Sequence, residues 1–179
     1  FKEGPGTRLV EEEGGMEDVV VAGVTYDKSE AKISLMGVPD RPGVASRIFT
    51  PLSDANIVVD MIVQNVGTSG KADLTFTVKK EDYKRALDII RKVGEYLGAS
   101  RIEGDENISK VSIVGTGMRS HSGVASRMFS ALANEGINIM MISTSEIKIS
   151  CVIDEKYTEL AVRVLHDAFG LGREEEGED

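Results

Sequence analysis

The pentapeptide Gly43-Val44-Ala45-Ser46-Arg47 returns eighty positions later as Gly123-Val124-Ala125-Ser126-Arg127. The likeness extends both ways. Ile33-Ser34-Leu35-Met36-Gly37 precedes the first copy and Val111-Ser112-Ile113-Val114-Gly115 the second. Beyond them Phe49, Leu52, Ile57 and Met61-Ile62 correspond to Phe129, Leu132, Ile137 and Met141-Ile142. A duplicated unit has to satisfy one architecture twice, so each copy constrains the reading of the other.

Each copy opens with a β-branched run closed by glycine, followed by a loop and then apolar residues at helical spacing. These are Val44, Ile48, Phe49 and Leu52 in the first copy and Val124, Met128, Phe129 and Leu132 in the second, which predicts a strand and then a helix. Pro51 predicts a kink or an early end of the first helix, because a mid-helix proline costs ~3 kcal/mol. The apolar run Ile57 to Val63 reads as a strand. So does the alternation of Ala72, Leu74, Phe76 and Val78 with Asp73, Thr75 and Thr77. Gly67-Thr68-Ser69-Gly70 between them has hairpin-turn chemistry. Tyr83, Ala86, Leu87, Ile90, Val93 and Leu97 stripe a helix that starts after Glu81-Asp82 and stops at Gly98. A short strand near Ile102 closes the unit in the order βαββαβ, the ferredoxin-like split arrangement.

The second copy predicts a strand over Val111 to Thr116, a helix from about Ser122 to Asn134, and a strand over Ile137 to Ile142 that carries Met140 and Met141. A strand over Glu146 to Ile153 follows, with Ile147, Ile149 and Cys151 on one face. The last helix carries Tyr157, Leu160, Ala161, Val164, Leu165 and Ala168 and ends at Gly170. No apolar run follows, whereas Val19 to Tyr26 stands unassigned ahead of the first copy. The economical solution lets this N-terminal strand complete the second sheet, so that the first unit is inserted into the second. The expected fold class is α+β, with two antiparallel sheets, each carrying its helices on one face.

Charge narrows the function. Thirty acidic and 21 basic residues among 179 leave a net charge of −9 and a pI near 4.8, with 5% aromatics and no tryptophan. Nucleic-acid binding, which needs a basic face and stacking platforms, is not expected. The acidity sits at the ends, six acidic against two basic groups in residues 1–18 and five against one in residues 173–179, and the middle carries −1. Residues 172–179 read as a disordered acidic tail. No apolar run reaches the ~18 residues of a membrane helix, and no stretch of these residues has a signal-peptide pattern. The lone Cys151 fits a reducing, cytoplasmic setting as a buried thiol. A chain that opens on Phe1 reads as a fragment or a processed product.

Catalytic chemistry has little support. His121 and His166 lie in different elements without triad or metal-ligand spacing. Gly115-Thr116-Gly117 begins like a dinucleotide fingerprint, but Ser120 stands where its third glycine belongs. The junction Pro39-Asp40-Arg41-Pro42-Gly43-Val44-Ala45 is more informative. It puts a carboxylate beside free helix N-terminal amides, a spot that accepts the carboxylate of a zwitterion while Asp40 meets its ammonium. The bland alternative is that Asp40 caps the helix and the prolines stiffen the turn.

Several stretches closely resemble the regulatory part of the aspartate kinase family: Ile33 through Gly43, Asn56 through Asn65, Ile142 through Ile147, and Ala161 through Phe169. Phe1 to Thr7 is similar to the last piece of that family's kinase domain. The resemblance implies two ACT domains, small amino-acid sensors of βαββαβ order. It divides the chain into a kinase-domain remnant or linker (1–15), an N-terminal strand of the second ACT domain (16–28), the first ACT domain (29–106), the second (107–171) and the tail (172–179). Met16-Glu17-Asp18 is similar to an internal start of the kind that makes a separate β subunit beside a full-length α subunit.

The family phosphorylates the side-chain carboxylate of aspartate with ATP, the first step toward lysine, threonine and methionine, and its ACT pair carries feedback inhibition. The kinase motifs are missing here, so the resemblance implies no catalytic residues and no cofactor in this chain, with ATP and Mg serving only a kinase domain. Carried over residue by residue, the threonine site comprises Asp40, Gly43, Val44, Ala45 and Gln64, with Asn138 and Ile139 from a neighbouring second unit. In members that also sense lysine, a second site uses positions matching Ala125, Ser145 and Glu146. The implied partners are a second copy, joined through the ACT domains, and the kinase domain or α subunit. An ACT pair from a different regulator and a small enzyme on a ferredoxin-like fold are the alternatives.

Overall fold

In a strand buried on one side, every second residue must be apolar, and this alternation sorts the strands here into two sheets with a helical layer each. The computed structural model describes residues 21–67, 69–116, 118 and 122–172. The elements are β1 (Val21–Asp27), β2 (Glu30–Pro39), α1 (Val44–Asp54), β3 (Val59–Val66), β4 (Lys71–Lys79), α2 (Tyr83–Leu97) and β5 (Arg101–Asp105). They continue with β6 (Ile108–Gly115), α3 (Ser122–Asn134), β7 (Met141–Thr144), β8 (Lys148–Asp154) and α4 (Thr158–Phe169). A single 3-10 turn leads into α2 (Lys80–Asp82) and another into α4 (Glu155–Tyr157).

One sheet has the order β3-β4-β2-β5 and the other β1-β6-β8-β7. Both are the same ferredoxin-like order once β1 is counted as the last strand of the second unit. β1 runs antiparallel to β6, with Val24 opposite Ile113 and Tyr26 opposite Val111. The first unit is therefore inserted into the second. The kinase-like stretch 1–15 and the acidic tail from residue 173 lie outside the described residues.

The inward faces build two cores. In the first, Ile33, Leu35, Leu74 and Phe76 of the sheet meet Ile48, Leu52 and Ile90 of the helices. Phe49 meets Phe76 edge-on at 5.2 Å, a geometry worth ~0.5–1.5 kcal/mol beyond the area it buries. In the second, Val111, Ile113, Ile149, Cys151 and Ile153 meet Met128, Leu132 and Leu165. The left-handed residue that turns each first helix toward its next strand is Asn56 in one unit and Gly136 in the other.

The opposite sheet faces pack on each other. Met61 of β3 joins Ile108, Met141 and Val152 of the second unit in a third buried cluster. Lys110 Nζ donates to Glu30 Oε1 at 2.7 Å and also to Asp60 Oδ2. Burial alone would lower the Lys110 pKa, but the two carboxylates hydrogen-bonded to it push it up. Lys79 Nζ donates to Asp27 Oδ2 at 3.2 Å, a further tie between the units.

Three local expectations change. Of the kink or early end expected at Pro51, the early end does not occur: α1 continues to Asp54, because Leu52 is fully buried and anchors the last turn in the core. The segment from Ile137 becomes a strand only at Met141, so Met140 precedes β7 and binds through its N–H to Val152 O at 2.8 Å. Ile147 does not share the inward face of Ile149 and Cys151. It sits in the turn before β8 and is 59% exposed.

Candidate functional site

The loop from β2 into α1 leaves its polar groups unspent. Gly43 is the N-cap of α1 at φ +88°, a left-handed conformation that a Cβ would strain. No side chain caps the helix, so Asp40 is not the cap. Its backbone N–H donates to Gly70 O at 2.9 Å, which ties the loop to the β3–β4 turn. Its exposed carboxylate has no hydrogen bond or ion pair among the described residues. Val44 N–H makes a long 3.3 Å contact with Arg41 O, and Arg47 N–H bonds Gly43 O at 3.1 Å. The N–H groups of Ala45 and Ser46 are left without an acceptor among the described residues.

Gln64 belongs to the same end of the same face. On the edge strand β3 it stands opposite Leu74, one of the helix-facing residues, and its amide is exposed and unbonded among the described residues. Val38 and Pro39, which lead into the Asp40 loop, pair with Ala72 and Lys71 on the neighbouring strand. Free amides at a helix N-terminus attract a carboxylate. Asp40 offers a charge for an ammonium, and Gln64 offers both a donor and an acceptor. A larger groove of about 510 Å³ lies between α1 and α2 around Arg47, Pro51 and Tyr96, and none of Asp40, Gly43 and Gln64 lines it.

Asn138 and Ile139 lie in the loop between α3 and β7. Asn138 is exposed, and Ile139 packs on the second core. They therefore belong to a different unit from Asp40 and Gln64.

The second unit repeats the loop-to-turn tie with other residues. Met118 N–H donates to Glu146 O at 3.1 Å, and Gly115 N–H to Ile147 O at 2.9 Å. This holds the exposed Ser145-Glu146 turn against the chain leading to α3, where Ala125 is half-buried. Arg119 to His121 lie outside the described residues. Ser145 bonds across the turn to Lys148, its N–H reaching Lys148 O at 2.8 Å.

Other chemistry is poorly supplied. Burial pushes the Cys151 thiol up to about 12, the opposite of an activated nucleophile. Among the described residues no three His, Cys, Asp or Glu side chains come together to hold a metal. No helix of the described chain is long and apolar enough to cross a membrane.

The ACT domain family matches residues 33–95 and again 111–169. The chain is 58% identical over 172 residues to an aspartate kinase of Stutzerimonas stutzeri, covering 96% of this chain and 42% of that protein. A crystal structure of aspartokinase alpha and beta subunits superposes with a TM-score of 0.79 at 56% identity, over 84% of this chain and 99% of that one. The ligand-free regulatory subunit of aspartate kinase from Thermus thermophilus gives 0.79 at 42% identity, over 83% and 98%. The chain belongs to the aspartokinase regulatory regions. As such a region it is a tandem ACT pair, and it spans about two-fifths of the length of its curated relative. In the aspartokinase regulatory region the unspent groups of Asp40, Ala45 and Gln64 gather at the first ACT domain. The interdomain cluster of Lys110, Glu30 and Asp60 went unread in the sequence. Its signal was a lysine kept at the matching positions Lys32 and Lys110.

Proposed function

We propose that this regulatory region senses threonine and passes feedback inhibition to an aspartokinase catalytic domain. The observation that carries the reading is the unpartnered Asp40 carboxylate beside the free N–H groups of Ala45 and Ser46 at the start of α1. The amides around Gly43, Val44 and Ala45 take the amino acid's carboxylate, Asp40 its ammonium, and Gln64 its hydroxyl. Asn138 and Ile139 of a second copy close the pocket.

The homodimer is supported by exposed apolar side chains along two edge strands, Ile62 and Val66 on β3 and Ile142 on β7. A ligand shared between copies favours the closed dimer, and only its differential affinity for that state shifts the kinase. Coupling of this kind is typically ~1–3 kcal/mol. Lysine is the second effector, with Glu146 meeting its ammonium beside Ser145 and Ala125.

The kinase domain or a separate α subunit is the partner, and the pathway runs from aspartate to lysine, threonine and methionine in the cytoplasm. ATP and Mg act only in the kinase domain. The alternative is a tandem ACT sensor of another protein.

Titration calorimetry of the purified chain with threonine, then lysine, then each with the other present, tests the reading, with isoleucine and serine as controls. Selective threonine binding that is lost in Asp40→Ala and at least tenfold weaker in Gln64→Ala supports it. Threonine affinity unchanged in both variants overturns the site. A lysine signal that survives Asp40→Ala and disappears in Glu146→Ala assigns the second site.

A further inference from the structure

Strand register alone assembles a polar corner on the second sheet. Ser143 on β7 stands opposite Ser150 on β8, which stands opposite Ser112 on β6, so three hydroxyls share one rung. The Oγ atoms of Ser112 and Ser150 are 2.8 Å apart. Two residues along β8, and so on the same face, is Lys148. Two residues along β6, on the other side of the rung, is Lys110. This face turns toward the first unit, whose Asp60 and Met61 complete a cleft of about 170 Å³ with Lys110, Lys148, Ser143, Ser145 and Ser150.

The two lysines differ in their commitments. Lys110 is bonded to Glu30 and Asp60. Lys148 has no hydrogen bond or ion pair from its ammonium among the described residues, and the hydroxyl of Ser143 has none either. The hydroxyl of Ser145 reaches only Lys148 O, at 3.4 Å.

The duplication supplies an internal control. The matching rung of the first unit is Ser34, Thr75 and Val63. By the same register Asp73 stands where the second unit has Lys148, and its Oδ1 accepts the Gly37 N–H at 2.8 Å. The first unit thus has an apolar side chain and a committed carboxylate where the second has an unbonded hydroxyl and an ammonium held by no hydrogen bond or ion pair, its charge felt by Asp60 across the cleft.

We propose that this interdomain cleft binds a small oxyanion, the carboxylate or phosphate group of a small molecule. Lys148 Nζ provides the charge, and the hydroxyls of Ser143 and Ser145 provide directed donors. Charge-assisted bonds of this kind are the strong ones. At ~30 Å³ per water, the cleft has room for such a group and a few waters. Asp60 is the opposing charge in the cleft, bonded to Lys110 and within electrostatic reach of Lys148, and it keeps the affinity modest. The cleft lies within one chain and draws on both ACT domains, so the site needs no second copy and stands independently of the threonine assignment; it shares Ser145 with the proposed lysine site, and Lys148→Met together with Glu146→Ala separates the two.

The test follows backbone amide NMR shifts of the purified chain while inorganic phosphate is added at constant ionic strength, with succinate as the carboxylate arm and chloride as the control. The expected result is a saturable shift confined to residues around 143–150. It should weaken at least tenfold in Lys148→Met and about threefold in Ser143→Ala, persist in Lys92→Ala, an exposed lysine of α2 in the other groove, and tighten in Asp60→Asn. The better saturating probe, phosphate or succinate, identifies the group preferred. An equal response to chloride, a lack of saturation with both probes, or unchanged binding in Lys148→Met and Ser143→Ala overturns the site.

Discussion

Lys80 and Glu155 occupy matching positions of the two repeats, each opening the 3-10 turn ahead of its unit's second helix, and their side chains meet at 2.9 Å. The backbone repeats the correspondence. Lys80 N–H donates to Ser29 O and Glu155 N–H to Asn107 O, at 2.8 and 2.9 Å. Divergence to opposite charge at one duplicated position has turned a pseudo-symmetric approach of the units into an attraction.

Reversing one of these charges should destabilise the pair of units, and reversing both should restore it. Each side chain is 32% exposed, so the coupling is that of a partly solvated pair, ~0.5–1 kcal/mol. Urea denaturation of Lys80→Glu, Glu155→Lys and the double variant gives the number directly. A coupling energy of zero in that cycle would make the contact decorative.

Lys110 is a larger commitment. Lys110→Met strands Glu30, whose side chain is 3% exposed, as a buried charge without its main partner. The expected loss is ~3 kcal/mol. Adding Glu30→Leu should recover most of it, because an apolar pair leaves no charge to desolvate. A single variant as stable as the parent chain in urea would contradict this reading.

Asp27 sets an acid limb. Burial works against its ionisation, but hydrogen bonds from the Ser29 side chain and N–H and from Lys79 bring its pKa down from 3.8 to about 2. A carboxyl held below its unfolded value contributes stability above that value and loses it as pH falls through the folded one. The window is therefore about pH 3.8 down to about pH 2. With the side chain 32% exposed, screening leaves ~1–2 kcal/mol at neutral pH. Thermal melts across that window should show a shallower acid slope for Asp27→Asn than for the parent, and identical slopes would rule the linkage out.

Cys151 should resist thiol reagents at pH 8, since the fully buried thiol titrates near 12. Labelling by a chromogenic disulfide should follow global unfolding and accelerate with urea. Rapid stoichiometric labelling of the folded chain would show that β8 opens locally.

Much of this architecture can be read from residues alone. Counting strands was enough to nest one unit in the other, because an apolar run with no partner ahead of the first unit matched a missing strand after the second. Helix ends were readable where glycine closes them at positive φ, Gly98 and Gly170. Pro51 misleads because local propensity is a weak prior against a fully buried Leu52. Ile147 misleads because a hydrophobic residue in a turn looks like one more strand position.

The sheet-to-sheet contact was harder to see. Ser112, Ser150 and Lys110 on the outer faces have the polarity of solvent-facing positions, and only Met61, Met141 and Val152 hint that these faces are covered. At the candidate site, Pro39 through Gly43 left open whether Asp40 caps the helix, and the structure shows an uncapped start with the carboxylate unbonded among the described residues. In the proposed threonine site Asn138 comes from a second molecule, which no intrachain pattern encodes.

The nesting also dictates an order of assembly. Asp27 pairs with Lys110, and Val21 with Gly115, so β1 leaves the ribosome more than eighty residues before the strand it needs. The whole first ACT domain can complete itself in that interval, since local contacts form first and long loops close late. Until β6 arrives, β1 is an unsatisfied ribbon attached to a finished domain. The second domain then closes around its own leader strand, so the two ACT domains are completed in sequence, inner one first.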